Sequence, residues 1–262
     1  MIVARVFLWF LIYSFIGWAY ESILCSITGK KLVNRGFLNG PICPVYGCGA
    51  LIIIFSLQSV ADNVLVLFLS SMVLTTTLEY ITSYLLETFF HAKWWDYSRY
   101  RFQINGRVCL LGSLVFGLLS VLLMLFIHPF VKEQVERIPD TPLLWITAVL
   151  LILFLCDIFV TVRHILQLNG RLQEIQEAIN QYAQNSKEKA QHLKISLQER
   201  FENSEFNSLR VKALLDMRKF QDRRLLRAFP RIESVKYKEA LEKIKIRLEA
   251  SRKDGKKGSK NG

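Results

Sequence analysis

The sequence predicts an all-α fold: a polytopic membrane helical bundle of about five spans, followed by a cytoplasmic helical tail. Three observations carry this. First, 52% of the 262 residues are apolar, a high share for a chain with 21% charged side chains. Second, the charge is segregated. Through Val162 there are ten Lys or Arg and nine Asp or Glu, so 24 of the 34 basic and 13 of the 22 acidic side chains fall in the last hundred residues. Third, the apolar portion breaks into runs near the ~20 residues that a ~30 Å hydrocarbon layer requires.

The runs are about 3–27, 41–60, 63–90, 108–130 and 142–162. The first contains Tyr20-Glu21 and is closed by no small-x-small site, so it reads as a span and not as a cleaved leader. The second is the weakest. Pro41, Pro44, Gly47 and Gly49 interrupt it, and its purely apolar part is only Ala50 to Leu57, which predicts a broken or partly re-entrant helix. The third carries Glu79, Ser83 and Glu87 at a spacing of four, on one helix face. The fourth and fifth are almost wholly apolar until Asp157.

Residues 1–163 thus form a transmembrane domain, 164–250 a basic and partly amphipathic tail, and 251–262 a disordered basic end. In the tail, Ile165, Leu168, Leu172, Ile175, Ile179 and Tyr182 are spaced 3, 4, 3, 4, 3, the seam of a coiled coil. Asn185-Ser186 is expected to interrupt it. Further amphipathic stretches cover Leu193 to Phe206, Leu209 to Phe229 and about Ile232 to Ala250. Interspersed acids argue against nucleic acid as a partner. Anionic lipid of the inner leaflet is expected, at ~1 kcal/mol per surface Lys or Arg.

Loop charge gives direction. Lys30, Lys31 and Arg35 follow the first run, and Lys93, Arg99, Arg101 and Arg107 follow the third. Only Asp62 follows the second, and the loop after the fourth is balanced to acidic. The positive-inside rule then puts the N-terminus outside and the C-terminus in the cytoplasm.

Two polar stretches fall on the cytoplasmic face in this topology: Arg35 to Gly47, and Trp94 to Ser98 with Asn105-Gly106-Arg107. They lie near carboxylates of the inner span halves. Together these give a candidate polar site of Glu21, Arg35, Asn39, Glu79, Ser83, Asp96, Asn105, Arg107 and Asp157. An ionisable group in a span costs ~2.5–3.5 kcal/mol on insertion scales, so it faces protein or water with a partner. Arg35 and Arg107 are the expected partners, and loop amides beside them would suit an anionic headgroup or phosphate. Glu79 is the deepest carboxylate. Glu87 and Asp157 have an interfacial reading beside the functional one. Trp94, Trp95, Tyr97 and Tyr100 also read as an interfacial aromatic belt.

Other chemistries find no support in the sequence. The five cysteines have irregular spacing and read as free thiols, and Cys43 and Cys48 lack the partners of a zinc site. No catalytic elbow, no His-Glu-x-x-His and no Gly-x-x-x-x-Gly-Lys-[Ser/Thr] occurs. No cofactor, metal or enzymatic activity is therefore expected.

The stretches Tyr13 to Glu21, Arg35 to Gly47, Leu78 to Glu87, Trp94 to Ser98 and Asn105 to Leu110 resemble the bacterial integral-membrane family labelled Putative ABC-transporter type IV, the CmpB-like permeases. The resemblance covers roughly residues 5–165, and Arg224 to Pro230 looks like a tail element of the same family. It implies a multi-pass protein of the bacterial cell membrane and a permease-type role, with ATP hydrolysis supplied by a separate ATPase subunit. A homo-oligomer is the other assembly expected. The alternatives are a membrane interaction or regulatory protein working through its tail, and an enzyme acting on lipid headgroups.

Overall fold

In the computed structural model the described residues are 1–30, 33–191, 226, 228–229 and 232–246. They are overwhelmingly helical. Helix α1 is Ile2–Gly29, α2 is Pro44–Leu57 with a 3₁₀ turn Gln58–Val60, and α3 is Val64–Phe90. Short strands β1 (Ala92–Lys93), β2 (Gln103–Ile104) and β3 (Val108–Cys109) follow. Then come α4 (Leu110–Leu122), a π-helical turn Leu123–Ile127, α5 (His128–Glu136), the 52-residue α6 (Asp140–Gln191) and strand β4 (Glu233–Ser234). Among the described residues, four helical segments are long and apolar enough to cross a membrane: Ile2–Ile27, Val64–Phe90, Leu110–Glu136 and Asp140–Gln181. Pro44–Val60 is apolar but shorter.

Where the apolar side chains point identifies the solvent. The most apolar window of α6 has mean hydropathy 2.8, yet only 6% of it is buried. Trp145, Ile152, Leu153 and Phe159 face outward. A surface of that kind is stable against hydrocarbon and not against water. The chain is an all-α membrane bundle.

Two compact units are present. The first comprises Met1–Phe89, Lys93–Val162 and Ala228–Ile232. Its apolar core gathers at one end of the bundle, from Ala4 and Leu8 of α1, Ile53 and Leu57 of α2, Leu67 of α3, Val131 of α5 and Leu143 of α6. Because successive helices alternate in direction, the carboxylates Glu21, Glu79, Glu87 and Asp157 belong to the opposite end. Arg5 and Asp140, 3.2 Å apart, pair at the core end.

Helices α1 and α2 approach closely because of two glycines. A Cβ on Gly47 would collide with Ser14 Oγ and the Phe10 carbonyl, and one on Gly17 with the Tyr46 side chain. The expected interruption of 41–60 takes a specific form. Residues 41–43 stay outside the helix, Cys43 N–H donates to the Ser14 carbonyl at 3.0 Å, and Pro44 opens α2, where its missing N–H costs nothing. Pro129 explains the π turn. It lacks an N–H and crowds the preceding turn, and the widened turn Leu123–Ile127 absorbs this, with His128 N–H reaching the Leu123 carbonyl. His128 Nδ1 then meets Tyr13 Oη at 2.7 Å.

The second unit comprises Phe90–Ala92, Arg163–Arg227 and Glu233–Gly262. Its described part buries the predicted seam: Ile165, Leu168, Leu172, Ile175 and Ile179 are all buried, as are Ala240, Leu241 and Ile244. Gln176 Oε1 accepts the Ala240 N–H at 3.2 Å. The seam is thus covered within the chain. Helix α6 runs on through Asn185-Ser186 to Gln191, and the side chains from Tyr182 onward, where the seam is expected to end, lie outside the described residues. The stretch Leu193 to Phe206, most of Leu209 to Phe229 and the end 251–262 lie outside the described residues.

Candidate functional site

The site grows from three short-range decisions of the chain. After α1, Lys30 takes a left-handed conformation (φ 49°) and closes the helix. The following segment folds back onto α1: Trp18 Nε1 donates to Asn34 Oδ1 at 2.7 Å, and Arg35 N–H to Ser22 Oγ at 3.2 Å. This lays Arg35 beside Glu21, Nε to Oε2 at 3.3 Å. Tyr46 Oη, from the first turn of α2, donates to the other oxygen, Glu21 Oε1, at 2.9 Å. Glu21 is therefore fully engaged.

The loop after α3 is the second. Asn105 and Gly106 both have positive φ (52° and 68°), as the hairpin turn joining β2 to β3 requires. Asp96 braces it, accepting Ser98 N–H at 2.9 Å and Ser98 Oγ at 2.7 Å, while Tyr97 N–H donates to the Gly106 carbonyl at 2.8 Å. The Ser98 hydrogen bonds hold the Asp96 carboxyl below its ordinary value. Tyr97 Oη then reaches Glu79 Oε1 at 3.2 Å. Burial, ahead of the Glu79 charge, pushes the Tyr97 phenol well above its ordinary value, so it stays a donor.

The third decision is a chain crossing. Arg35 Nη1 donates to the Ala228 carbonyl at 2.7 Å, and its guanidinium lies 4.9 Å from the Phe229 ring centroid. Trp94 meets Phe37 and Phe229 edge-on at 5.0 and 5.1 Å. Trp94 is only 3% exposed, so it is a buried wall of the first unit and not a member of a lipid-facing belt.

These groups enclose one end of a cavity of about 530 Å³ within the first unit. Glu21, Arg35, Glu79 and Tyr97 form its polar end, with Trp94 and Trp95 beside them. Its body runs down the bundle between apolar side chains, among them Ile53, Leu123, Ile127 and Ile158. Helical spacing explains the lining: Tyr13, Gly17 and Glu21 lie on one stripe of α1, and Thr75, Glu79 and Thr82 on one stripe of α3. One feature stands apart from this bonded network. Glu79 Oε2 is buried and has no hydrogen-bond partner among the described residues.

Of the nine residues that the sequence nominates, Glu21, Arg35 and Glu79 line the cavity. The other six hold its frame. Asp157 accepts the amides of Asn39 (3.0 Å) and Gly40 (2.8 Å) and the Asn39 side-chain amide (3.0 Å), with Thr161 alongside. Those loop amides are therefore occupied by a carboxylate of the chain and do not await an anion. Arg107 pairs not with Glu79 but with Glu87, Nη2 to Oε2 at 2.8 Å, and with Tyr80 Oη at 3.1 Å, which also accepts from Asn105. Glu87 keeps the Arg107 guanidinium above its already high ordinary value. Ser83 is buried in α3, and Asp96 stays in its loop. No cluster of His, Cys, Asp and Glu suited to a metal ion occurs among the described residues.

Among the lining residues without a nomination, Tyr46, Tyr97 and Phe229 bond to or pack on the polar end directly. Tyr46 and Tyr97 sit inside the two polar stretches and could have been read as donors. Nothing in the sequence links Phe229 to Arg35 across almost two hundred residues.

Comparison with known proteins gives one match. The family described as Putative ABC-transporter type IV matches over residues 8–162, more than half of the chain. No curated protein matches, and no solved structure matches.

Proposed function

We propose that this chain, which belongs to the family Putative ABC-transporter type IV, is the permease-type membrane component of a transport system, with the cavity at Glu79 as its substrate site. The carrying observation is a buried carboxylate oxygen without a hydrogen bond at the polar end of an apolar cavity inside a membrane bundle. Ionisable groups at membrane depth are costly and typically mark substrate or ion pathways. A chamber of this size, mostly apolar with a few convergent polar groups, has the make-up of a ligand site.

Loop charge supports a cytoplasmic opening. Lys30, Arg35, Lys93, Arg99, Arg101 and Arg107 all belong to loops at the Glu79 end, whereas at the other end Lys132 and Arg137 are outnumbered by Asp62, Glu133, Glu136 and Asp140. In this reading the N-terminus lies outside and the C-terminus in the cytoplasm. Asn39, Asp157, Glu87 and Arg107 are positioning residues, since they hold the two loops that carry Arg35 and Tyr97. The sequence has no phosphate-binding loop, so a separate ATPase subunit would supply the energy.

Glu79→Gln tests the reading. In cells lacking their own copy of the gene, the variant should reach the membrane and fold but fail to restore the function that wild type restores. Full restoration by a correctly inserted Glu79→Gln chain contradicts a substrate site at this carboxylate.

A further inference from the structure

The reading of the cavity as a substrate site can be taken to a class of substrate, and the inference rests on that reading. The cavity carries three formal charges: Glu21, Glu79 and Arg35. Glu21 and Arg35 neutralise each other at 3.3 Å, and Tyr46 completes Glu21. Among the described residues Glu79 has only the Tyr97 hydroxyl, on Oε1. The second oxygen lacks a donor. Among the described residues the ionised site therefore has one uncompensated negative charge and one uncompensated acceptor, which repels an anionic head and suits a positively charged donor.

The aromatic residues point the same way. Trp94, Trp95, Tyr20 and Tyr97 line the same cavity as the Glu79 carboxylate, and aromatic rings attract cations in desolvated surroundings. The wall already does so once, with the Arg35 guanidinium over Phe229 at 4.9 Å. Beyond this end the lining is mostly apolar, from Ile53 to Phe116, Leu123 and Ile127, and its hydroxyls are engaged within the bundle: Tyr13 with His128, Thr75 with the Ser71 carbonyl and Ser120 with the Phe116 carbonyl.

We propose that the cavity binds an amphipathic organic cation, with an ammonium head at the Glu79 carboxylate and a single hydrocarbon body along the apolar wall. Such a head can come from a free lipophilic amine or from an amine-bearing lipid.

The test uses the full chain in phosphatidylcholine nanodiscs, with calorimetric titration and subtraction of empty nanodiscs. Dodecylammonium represents the free amine, lysophosphatidylethanolamine the lipid source, and dodecyl phosphate an anion of equal chain. The expected result is dodecylammonium binding about tenfold or more tighter than dodecyl phosphate, with the preference erased in Glu79→Gln. Lysophosphatidylethanolamine binding as tightly as dodecylammonium assigns the lipid source, and weaker binding assigns the free amine. Phosphate binding equal to or tighter than amine in the wild-type chain overturns the inference while leaving a substrate cavity intact. If none of the three binds, both the inference and the cavity reading fail. The wild-type comparison decides without any variant, so a misfolded Glu79→Gln chain does not blunt it. A folded Glu79→Gln chain that keeps the preference overturns the assignment to this carboxylate.

Discussion

Glu79, Ser83 and Glu87 recur every four residues on α3, yet the structure gives them three different tasks. Glu79 keeps a buried oxygen without a hydrogen bond at the polar end of the cavity, Ser83 is packed away, and Glu87 clamps Arg107. Spacing revealed the shared face but not the division, because the partners come from a loop that closes only in three dimensions. The Arg107–Glu87–Tyr80 cluster should matter for stability. Arg107→Ala leaves Glu87 without its charge partner and should destabilise the bundle by about 1–3 kcal/mol in thermal unfolding. Arg107→Lys should recover only part, since a point charge cannot serve Glu87 and Tyr80 together. Unchanged stability in Arg107→Ala would remove this cluster as a support of the loop. Asp96 gives a pH signature. Its carboxyl is held below the ordinary value by Ser98, so the brace is present above the usual carboxylate range and is lost as pH falls through the lowered value. Hydrogen exchange at Ser98 and Tyr97 should therefore speed up only at acid pH, after correction for intrinsic rates. Asp96→Asn should give that faster exchange at neutral pH.

At the scale of elements, the helices were the most legible part of the sequence. Runs of apolar residues announce a span because lipid demands them over its full thickness. Pro41, Pro44 and Gly47 announced trouble in the second run, and α2 is indeed late-starting and short. What the glycines do there needed coordinates: Gly47 exists because α1 leaves no room for a Cβ beside Ser14 and Phe10. Gly47→Ala should separate α1 from α2 and cost about 1–3 kcal/mol. Adding Ser14→Ala should restore only part, because the Phe10 carbonyl remains in place. A neutral Gly47→Ala melt would contradict the close approach. The buried Trp94 and the amides taken by Asp157 were misread in the sequence for one reason. Both depend on partners far along the chain, Phe229 and Asn39–Asp157, which local pattern does not reveal.

For the whole molecule, the membrane class was legible in the sequence, and three of the nine nominated residues, Glu21, Arg35 and Glu79, line the cavity. The orientation in the membrane is a reading of loop charge alone, whereas the cavity depends on side-chain packing. Phe229 joins the wall of the first unit although it is distant in sequence. Phe229→Ala should accordingly leave the helical bundle folded while raising solvent access to Trp94, seen as stronger quenching of its fluorescence by acrylamide. The central claim is a substrate cavity at Glu79 that opens to the cytoplasm. Sided labelling tests it most directly, using Thr82→Cys, which lines the cavity, in a chain whose five native cysteines are replaced by alanine. A membrane-impermeant maleimide should label this position in vesicles exposing the cytoplasmic face and not in vesicles of the opposite orientation. Labelling only from the outer face, or none from the cytoplasmic face of a folded chain, would contradict the account.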